Sequence, residues 1–337
     1  MKNIKWFITL IVAIFVLAAC GSNTNSESNG ESSGSKGDTV KWKLGHLADE
    51  NHIWHATAEK FAELVNEKTD GGIEITIYPS NTLGGETDTI NAIHAGTADL
   101  VFSGETLENW APKAALLATP YAFRDGDHVK SVVEGEIGTE IEEQIIEEAE
   151  LTPLFYLTRA PRNLTSNKPI EKVEDISGFK MRVPNVPLFL DAWDSVGAKP
   201  QVMDFNEVFT GLQQNVIDGQ ENPVDLIQSG ALYEVQDYVN RTEHVYSWIY
   251  VLVGNEQFNA LTEDQQEAVR EAAAEAQEFG AELFEDEIDQ IEAELEEAGM
   301  EFIDVDQDSF REKMEPALKE TLSEEQFELY EKILEVE

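Results

Sequence analysis

The segment GFKMRVPN at residues 178–185 begins the region whose sequence pattern predicts the fold class. Lys180 to Val183 predicts a short strand, and Leu188 to Val196, directly after it, predicts a helix. Another strand candidate precedes the segment at Leu154 to Leu157. Strands separated by helices indicate a parallel or mixed sheet with helices on its faces. This region is therefore expected to be α/β.

A second helix and a returning strand are predicted downstream of this segment. Asn206 is a plausible N-cap for a helix over Glu207 to Asn215, and Asp218-Gly219 is interpreted as the turn that follows. An apolar strand is expected over Val245 to Val253, returning to the N-terminal lobe. The apolar face of the helix is expected to consist of Val208, Phe209, Leu212 and Val216.

The N-terminal half shows the same alternation of strands and helices. Val40 to Leu44 and Ile73 to Tyr78 alternate polar and apolar side chains, which predicts strands. Between them, apolar side chains from Trp54 to Val65 recur at helical spacing, and a second short helix is expected to end near Gly96. Ala98 to Phe102 then resembles a further strand. The first lobe is therefore also predicted to be α/β.

A single long helix is predicted from about Thr262 to Ala298. Thr262 and Gln265 form a capping box at its start, and Gly299 is its stop signal. At 1.5 Å per residue the helix would be on the order of 55 Å long, which exceeds the width of one lobe. Such a helix either crosses two lobes or pairs with another helix. Crossing is favoured because the strict heptad of a coiled coil is absent.

Composition and net charge limit the functions that this protein can have. The chain has 337 residues, of which 42% are hydrophobic, which suits a globular protein of two domains. Its 67 acidic and 23 basic residues give a formal net charge of -44. Phosphate backbones and anionic lipid surfaces would repel such a protein, so nucleic-acid binding is excluded as a function.

The first 38 residues are expected to be a leader and a tether. The apolar run between Trp6 and Ala19 is too short for a membrane span but suits a signal peptide over residues 1–19. The sequence LAAC that ends at Cys20, the only cysteine, resembles a lipobox, in which cleavage precedes a cysteine that becomes lipidated. Residues 20–38 lack large apolar side chains and are expected to form a lipidated flexible tether on the outer face of the cell membrane.

One window of the chain keeps a positive charge. Between Arg159 and Arg182 there are six basic and three acidic residues, whereas residues 255–337 hold 29 acidic and five basic ones. A locally basic window in an otherwise negative protein indicates an anion site, with salt bridges to the acidic surface as the alternative.

The ordered motifs of this region resemble a known family. They are GFKMRVPN at 178–185, GAKP at 197–200, FNEVF at 205–209, GLQQ at 211–214 and DGQENP at 218–223. Tyr78-Pro79, Leu83 to Glu86, and Arg162 with Thr165 to Asn167 fit the same pattern. Together they resemble the solute-binding proteins of TRAP (tripartite ATP-independent periplasmic) transporters over nearly the whole mature chain.

The resemblance implies a two-lobed α/β fold of the periplasmic-binding-protein (Venus flytrap) type. Lobe one is expected to comprise residues 39–159 plus 248–287, and lobe two residues 160–247 plus 288–337, with hinges near residues 159 and 247. The long helix is expected to cross both lobes. The resemblance also implies capture of a small organic acid, a C4-dicarboxylate or a sugar acid, and its delivery to a cation-coupled TRAP permease.

The resemblance implies roles for particular residues as well. Arg182 would grip the ligand carboxylate, since a planar guanidinium makes two parallel charge-assisted bonds. Asn222 would donate to the same group, and Arg162 would be a second basic contact. Four further residues are expected to contact the ligand: Asn185, Phe205, Glu86 and Phe102. Leu47 and Gly104 stand where some sialic-acid-binding relatives have polar or acidic residues, which counts against sialic acid.

The sequence leaves two rival functions open. An enzyme acting on a sugar acid is one, although no nucleophile elbow or zinc-protease motif is present. A ligand sensor for a signalling partner is the other. No cofactor is expected, and no metal either, since His52 and His55 lack a third ligand in the sequence pattern.

Overall fold

The computed structural model describes residues 39–337. The leader, the tether and Cys20 lie outside the described residues. Within this part of the chain the strands are β1 Val40–Gly45, β2 Ile73–Tyr78, β3 Leu100–Ser103, β4 Leu151–Thr158, β5 Arg162–Ser166, β6 Lys180–Val183, β7 Lys199–Val202, β8 Gly219–Asn222, β9 Tyr238–Val245, β10 Trp248–Gly254 and β11 Glu301–Asp304.

The helices interleave with these strands. They are α1 Ile53–Lys68, α2 Glu86–His94, α3 Gly126–Val133, α4 Glu136–Glu148, α5 Pro187–Ser195, α6 Phe205–Gln213, α7 Val224–Ser229, α8 Asn255–Asn259, α9 Glu263–Glu297, α10 Gln307–Thr321 and α11 Glu324–Glu335. Short 3₁₀ helices occur at Glu105–Asn109, Pro112–Ala118, Val173–Ile176 and Leu232–Glu234. No helix between residues 39 and 337 has both the length and the apolar composition that crossing a membrane requires.

The strands form two mixed sheets, which confirms the predicted two-lobed α/β fold. The first sheet has the order β2-β1-β3-β10-β4, and the second has the order β11-β9-β5-β8-β6-β7. The chain passes from the first sheet to the second between β4 and β5, and it returns between β9 and β10. The backbone N–H of Arg159 donates to the carbonyl of Ser247 at 3.2 Å, so the two crossings run side by side.

The predicted returning strand and the long helix are both present. β10 pairs antiparallel with β3 and β4, although it starts at Trp248 and not at Val245. α9 begins after the capping box of Thr262 and Gln265 and ends before Gly299, whose φ is +106°. Its N-terminal half packs through Val269, Ala272, Ala273 and Ala276 with the first sheet's core.

The other half of α9 packs with the second sheet. Ile291 and Leu295 join Val208, Leu212 and Val239 in a separate apolar cluster. The long helix therefore crosses both parts of the fold, as predicted, because its buried stripe is shared between two cores.

Three local predictions around α6 were wrong. The helix begins at Phe205, so its N-cap is Asp204 and not Asn206. Val216 is exposed, and Ile217 is buried in its place. The turn comes earlier than Asp218-Gly219, because Asn215 already adopts the left-handed conformation with a φ of 57°.

Gly219 belongs to β8, and its small size has a packing reason. A Cβ atom at this position would lie 2.1 Å from the carbonyl oxygen of Thr165 on β5. The residue is therefore a glycine because two strands approach closely here, and not because a turn requires it.

Candidate ligand-binding site

A cavity lies between the two sheets, and most of the predicted site residues line it. Its free volume is about 50 Å³, well below the roughly 300–1,000 Å³ of typical small-molecule pockets. Elements of both sheets contribute to its wall. Six predicted residues line it: Glu86, Arg162, Arg182, Asn185, Phe205 and Asn222.

Phe102 is the predicted site residue that lies elsewhere. Its ring stacks on the ring of Trp54, with centroids 5.7 Å apart and ring planes at 20°. Trp54, at the start of α1, lines the cavity in its place. Phe102 points from β3 into the core and therefore supports the cavity wall from behind.

The basic window separates into two groups in the structure. Arg159, Arg162 and Arg182 are buried and line the cavity, whereas Lys168, Lys172 and Lys180 are exposed. The positive charge that sequence counting detected is thus partly a surface property and partly a property of the cavity. The three buried arginines differ in how their charge is balanced.

Arg182 is buried without a carboxylate partner. It lies on β6 between the core residues Met181 and Val183, so strand alternation turns it to the opposite face, towards the cavity. Its Nε donates to the carbonyl oxygen of Met203 at 2.7 Å. Of the described carboxylates, none lies within ion-pair distance of its guanidinium. Burial, partly opposed by the charge of Glu221, lowers the pKa of Arg182 to about 10.

Arg162, in contrast, is paired with carboxylates of the protein. Its Nη2 donates to Oε1 of Glu221 at 2.8 Å, and its Nη1 lies 3.6 Å from Glu105. His244 contacts the other oxygen of Glu221 at 3.0 Å through Nε2. Burial alone would raise the pKa of Glu221, but Arg162 and His244 outweigh it and hold that pKa at about 2. The charge of Arg162 is therefore already balanced.

Arg162 also orients Asn222. Its Nη2 donates to Oδ1 of Asn222 at 3.1 Å, which fixes the side-chain oxygen and leaves the amide nitrogen on the other side. That nitrogen donates to Oε1 of Gln220 at 2.5 Å. A side-chain amide carries two N–H donors, so one donor of Asn222 remains for the cavity.

Glu86 and Phe205 form further parts of the wall. Glu86 is the first residue of α2, and its carboxylate accepts from the hydroxyl of Ser103 and from the N–H of Gly104. Burial raises the pKa of Glu86, while the hydrogen bond from the hydroxyl of Ser103 opposes that shift. Phe205 begins α6, and its ring centroid lies 5.9 Å from the guanidinium carbon of Arg182.

Asn185 connects the cavity to the other side of the cleft. It lies in the loop between β6 and α5, and its carbonyl oxygen accepts from Nδ2 of Asn109 at 2.8 Å. The preceding residue of the 3₁₀ helix Glu105–Asn109, Glu108, accepts through Oε2 from the backbone N–H of Leu188 at 3.4 Å. The segment Glu105–Asn109 therefore touches the second-sheet side at several points.

Sequence reasoning missed a pair of residues in the cavity wall. Nη1 of Arg159 donates to both carboxylate oxygens of Glu105, at 2.7 Å each. The guanidinium of Arg159 lies 5.4 Å from the ring centroid of Trp54. The basic window contained Arg159 only as a charge, and nothing near Glu105 in the sequence indicates a partner 54 residues away.

Known proteins share both the sequence and the architecture of this chain. The family of bacterial extracellular solute-binding proteins, family 7, matches residues 44–325. A solute-binding protein of Roseobacter denitrificans is 53% identical over 237 residues, which cover 70% of this chain and 73% of the relative. The 2,3-diketo-L-gulonate-binding periplasmic protein of Escherichia coli is 31% identical over 243 residues, covering 72% of this chain and 74% of the relative.

A solved structure agrees with these matches. The crystal structure of a TRAP periplasmic solute-binding protein from Roseobacter denitrificans with bound L-galactonate matches with a TM-score of 0.86 and 48% sequence identity. The match covers 87% of this chain and 98% of that one. The chain therefore belongs to family 7 of the bacterial extracellular solute-binding proteins, which are the solute-binding components of TRAP transporters.

Proposed function

We propose that this protein captures a sugar acid and that Arg182 binds its carboxylate. The observation that carries the proposal is the buried guanidinium of Arg182, which lines the cavity without a carboxylate partner among residues 39–337. A buried cation without a counter-charge is costly, and an anionic ligand removes that cost. The free donor of Asn222 adds a hydrogen bond to the same group, as the family resemblance implies.

The cavity suits one carboxylate better than two. Arg159 and Arg162 are already paired with Glu105 and Glu221, which leaves Arg182 as the unbalanced cation of the described cavity wall. A C4-dicarboxylate would place its second negative charge near Glu105 and Asp204, which also line the cavity. Hydroxyl groups, in contrast, find amides, hydroxyls and carboxylates there. The relatives that bind L-galactonate and 2,3-diketo-L-gulonate support a six-carbon sugar acid.

Binding is proposed to close two lobes on the ligand, with lobe one at residues 39–159 plus 248–287 and lobe two at 160–247 plus 288–337. The hinges would lie near residues 159 and 247, where the chain crosses between the sheets. Contacts across the cleft support a closed state, for example that between Asn109 and Asn185. Ligand contacts on both sides then shift an open–closed equilibrium towards the closed form.

The permease and the membrane anchor complete the proposal. We propose that the closed form delivers its ligand to the TRAP permease, and that lipidated Cys20 holds the protein outside the membrane after residues 1–19 are removed. Replacing Cys20 by serine is expected to release the protein from the membrane fraction into the soluble one. Retention in the membrane of a C20S variant from which residues 1–19 have been removed would contradict the anchor.

A thermal-shift screen tests the ligand class. The chain without residues 1–20 suits this experiment, because residues 37–337 form one compact unit. Sugar acids, C4-dicarboxylates and keto acids are added singly, and a ligand at about 100 times its Kd stabilises by roughly 2.7 kcal/mol. We expect shifts with hexonates or hexuronates, and recovery of the ligand unchanged in stoichiometric amount. Shifts with dicarboxylates alone would contradict the sugar-acid proposal, and turnover would favour an enzyme.

A further inference from the structure

We infer that Arg159, held in place by Glu105 and Trp54, is a ligand-binding residue that selects acids with an oxygen-bearing far end. This inference rests on the proposed function, because it takes Arg182 to hold the carboxylate. It assigns the opposite end of the ligand to a site that the family motifs do not include.

The guanidinium of Arg159 is fixed from two directions. Glu105 accepts two hydrogen bonds of 2.7 Å from its Nη1. The ring centroid of Trp54 lies 5.4 Å from the guanidinium, and Phe102 stacks on the Trp54 ring in turn. A guanidinium held in this way presents its remaining donors in a defined direction, as specific recognition requires.

One of those donors is buried and unsatisfied. Arg159 is 6% exposed and lines the cavity, and its Nε has no hydrogen-bond partner in the described part of the chain. A buried donor without an acceptor is unfavourable, and more so when the group is charged. A ligand oxygen in the cavity would provide the acceptor.

The charge of the pair restricts what that oxygen belongs to. The negative charge of Glu105 balances the positive charge of Arg159, so the pair has no net charge. Arg159 supplies hydrogen-bond donors, and Glu105 supplies acceptors. A hydroxyl group can accept from Arg159 and donate to Glu105, whereas a second carboxylate would be repelled by Glu105. The pair therefore favours the hydroxyl or carbonyl oxygens of an aldonate or uronate.

The positions of the two arginines favour a ligand that spans the cleft. Arg182 lies on β6 of the second sheet, and Arg159 follows β4 of the first. A ligand that contacts both must reach across the cleft from one sheet's side to the other. A six-carbon sugar acid has oxygen atoms along its whole length, while a three-carbon hydroxy acid ends close to its own carboxylate. Arg159 is therefore expected to contribute to binding of the long acid only.

The test compares ligands of two lengths on matched variants. Isothermal titration calorimetry measures the affinity of the wild type, Arg159→Lys and Arg182→Ala for three acids. They are L-galactonate, D-glucuronate and D-glycerate. Arg241→Lys is the matched control, because Arg241 also pairs with a carboxylate (Glu292, 3.1 and 2.9 Å) and lies over a ring (Phe302, 4.6 Å) but does not line the cavity.

We expect Arg159→Lys to weaken six-carbon acid binding about 10- to 100-fold, while glycerate binding changes less than about threefold. Arg241→Lys should change neither. Equal losses of affinity for the long and short acids, or no loss for either, would overturn the inference. Arg182→Ala tests the proposed function separately. If the wild type binds none of the three acids, the proposed function fails and this inference fails with it.

A wild-type measurement keeps the inference testable if Arg159→Lys does not fold. The wild type should bind the better six-carbon acid at least about 100-fold more tightly than D-glycerate, since the contacts of Arg159 and Glu105 are lost in the short ligand. Equal affinities for the long and the short acid would overturn the inference.

Discussion

The guanidinium of Arg182 is held by a backbone carbonyl, that of Met203, through an Nε–O hydrogen bond of 2.7 Å. A carbonyl orients the side chain but does not neutralise it. The two terminal nitrogens, which form the fork that matches a carboxylate, keep their donors for the cavity. The same feature makes Arg182 suited to binding and unfavourable for the stability of the empty protein.

The first prediction follows from this conflict. Arg182→Met should lower the affinity for the sugar acid by at least about 100-fold, because the buried ligand charge then lacks its partner. The ligand-free variant should be more stable than the wild type by about 1 kcal/mol or more, since a buried cation is replaced by an apolar side chain of similar length. Calorimetric titration and urea unfolding measure the two effects.

Lys180→Met provides the control for Arg182→Met. Lys180 lies on the same strand, but its side chain is exposed, so the substitution should change neither affinity nor stability by much. Normal binding by Arg182→Met would rule out Arg182 as the carboxylate site. A variant that loses both binding and stability would show that Arg182 has a structural role.

Arg182 also illustrates what the sequence could predict. Its strand follows from a local pattern within GFKMRVPN, whereas its role in the site was implied by the family resemblance. The long helix follows from a capping box and a stop glycine, each of which spans only a few residues. These features depend on short-range rules, which is why their bounds agree closely with the structure.

Arg159, another arginine of the cavity wall, shows why the rest could not be predicted. The pairing of Arg159 with Glu105, and the stacking on Trp54, join segments that are distant in the chain. No local spacing encodes such a contact. The same limit applies to Phe102, because the alternation of a strand gives two faces but does not say which neighbour fills the space in front of each.

The second prediction concerns the buried carboxylate behind the cavity. Arg162 and His244 hold the pKa of Glu221 at about 2, below the ordinary 4.5, although burial opposes them. A lowered carboxyl pKa contributes stability that is fully present above about pH 4.5 and is lost as the pH falls towards 2. Urea unfolding should therefore show a loss of stability over this window, and Glu221→Gln should lose less there.

Glu221→Gln should also be less stable than the wild type at pH 7 by about 3–5 kcal/mol, because Arg162 then remains buried with its balancing charge removed. Glu292→Gln is a suitable control, since its partner Arg241 is only partly buried. If Glu221→Gln kept the wild-type stability at neutral pH, the ion pair would contribute nothing net to the fold.

The third prediction concerns the segment that reaches across the cleft. Burial raises the pKa of Glu108 to about 7, and the charge of Asp191 acts in the same direction, while the N–H of Leu188 opposes it. A raised carboxyl pKa contributes stability that is present below about pH 4.5 and is lost as the pH rises through 7. The free energy of unfolding of the wild type should therefore fall over this window by more than that of Glu108→Gln.

The matched control for this pH effect is Asn109→Ala, which removes the neighbouring contact to Asn185 but no titrating group. It should lower stability by a similar amount at every pH, by about 1 kcal/mol. A Glu108→Gln variant with the same pH dependence as the wild type between pH 4.5 and 7 would assign the effect to another group.

The last prediction concerns the long helix, where α9 contacts α1 and β4. Gly280 is buried in the helix interior, a position where alanine is normally favoured by about 1 kcal/mol. Here a Cβ atom would lie 2.7 Å from Cδ2 of Leu157 and 2.8 Å from Oγ1 of Thr57. Because Thr57 is fully buried and its hydroxyl is bonded to the carbonyl of Ile53 at 2.8 Å, it cannot simply rotate away. Gly280→Ala should therefore destabilise by about 1–2 kcal/mol, since overpacking exceeds the helix gain.

Urea unfolding of a double-mutant cycle separates overpacking from a general intolerance of substitution in α9. Thr57→Ala removes two of the three atoms that a new Cβ would meet and leaves only Cδ2 of Leu157, so Gly280→Ala should cost less in that background than in the wild type. Glu282→Ala, at an exposed position of the same helix, should change stability by less than about 0.5 kcal/mol. If Gly280→Ala stabilises the protein instead, helix propensity decides at this position, and the close approach of α9 to α1 does not determine its glycine.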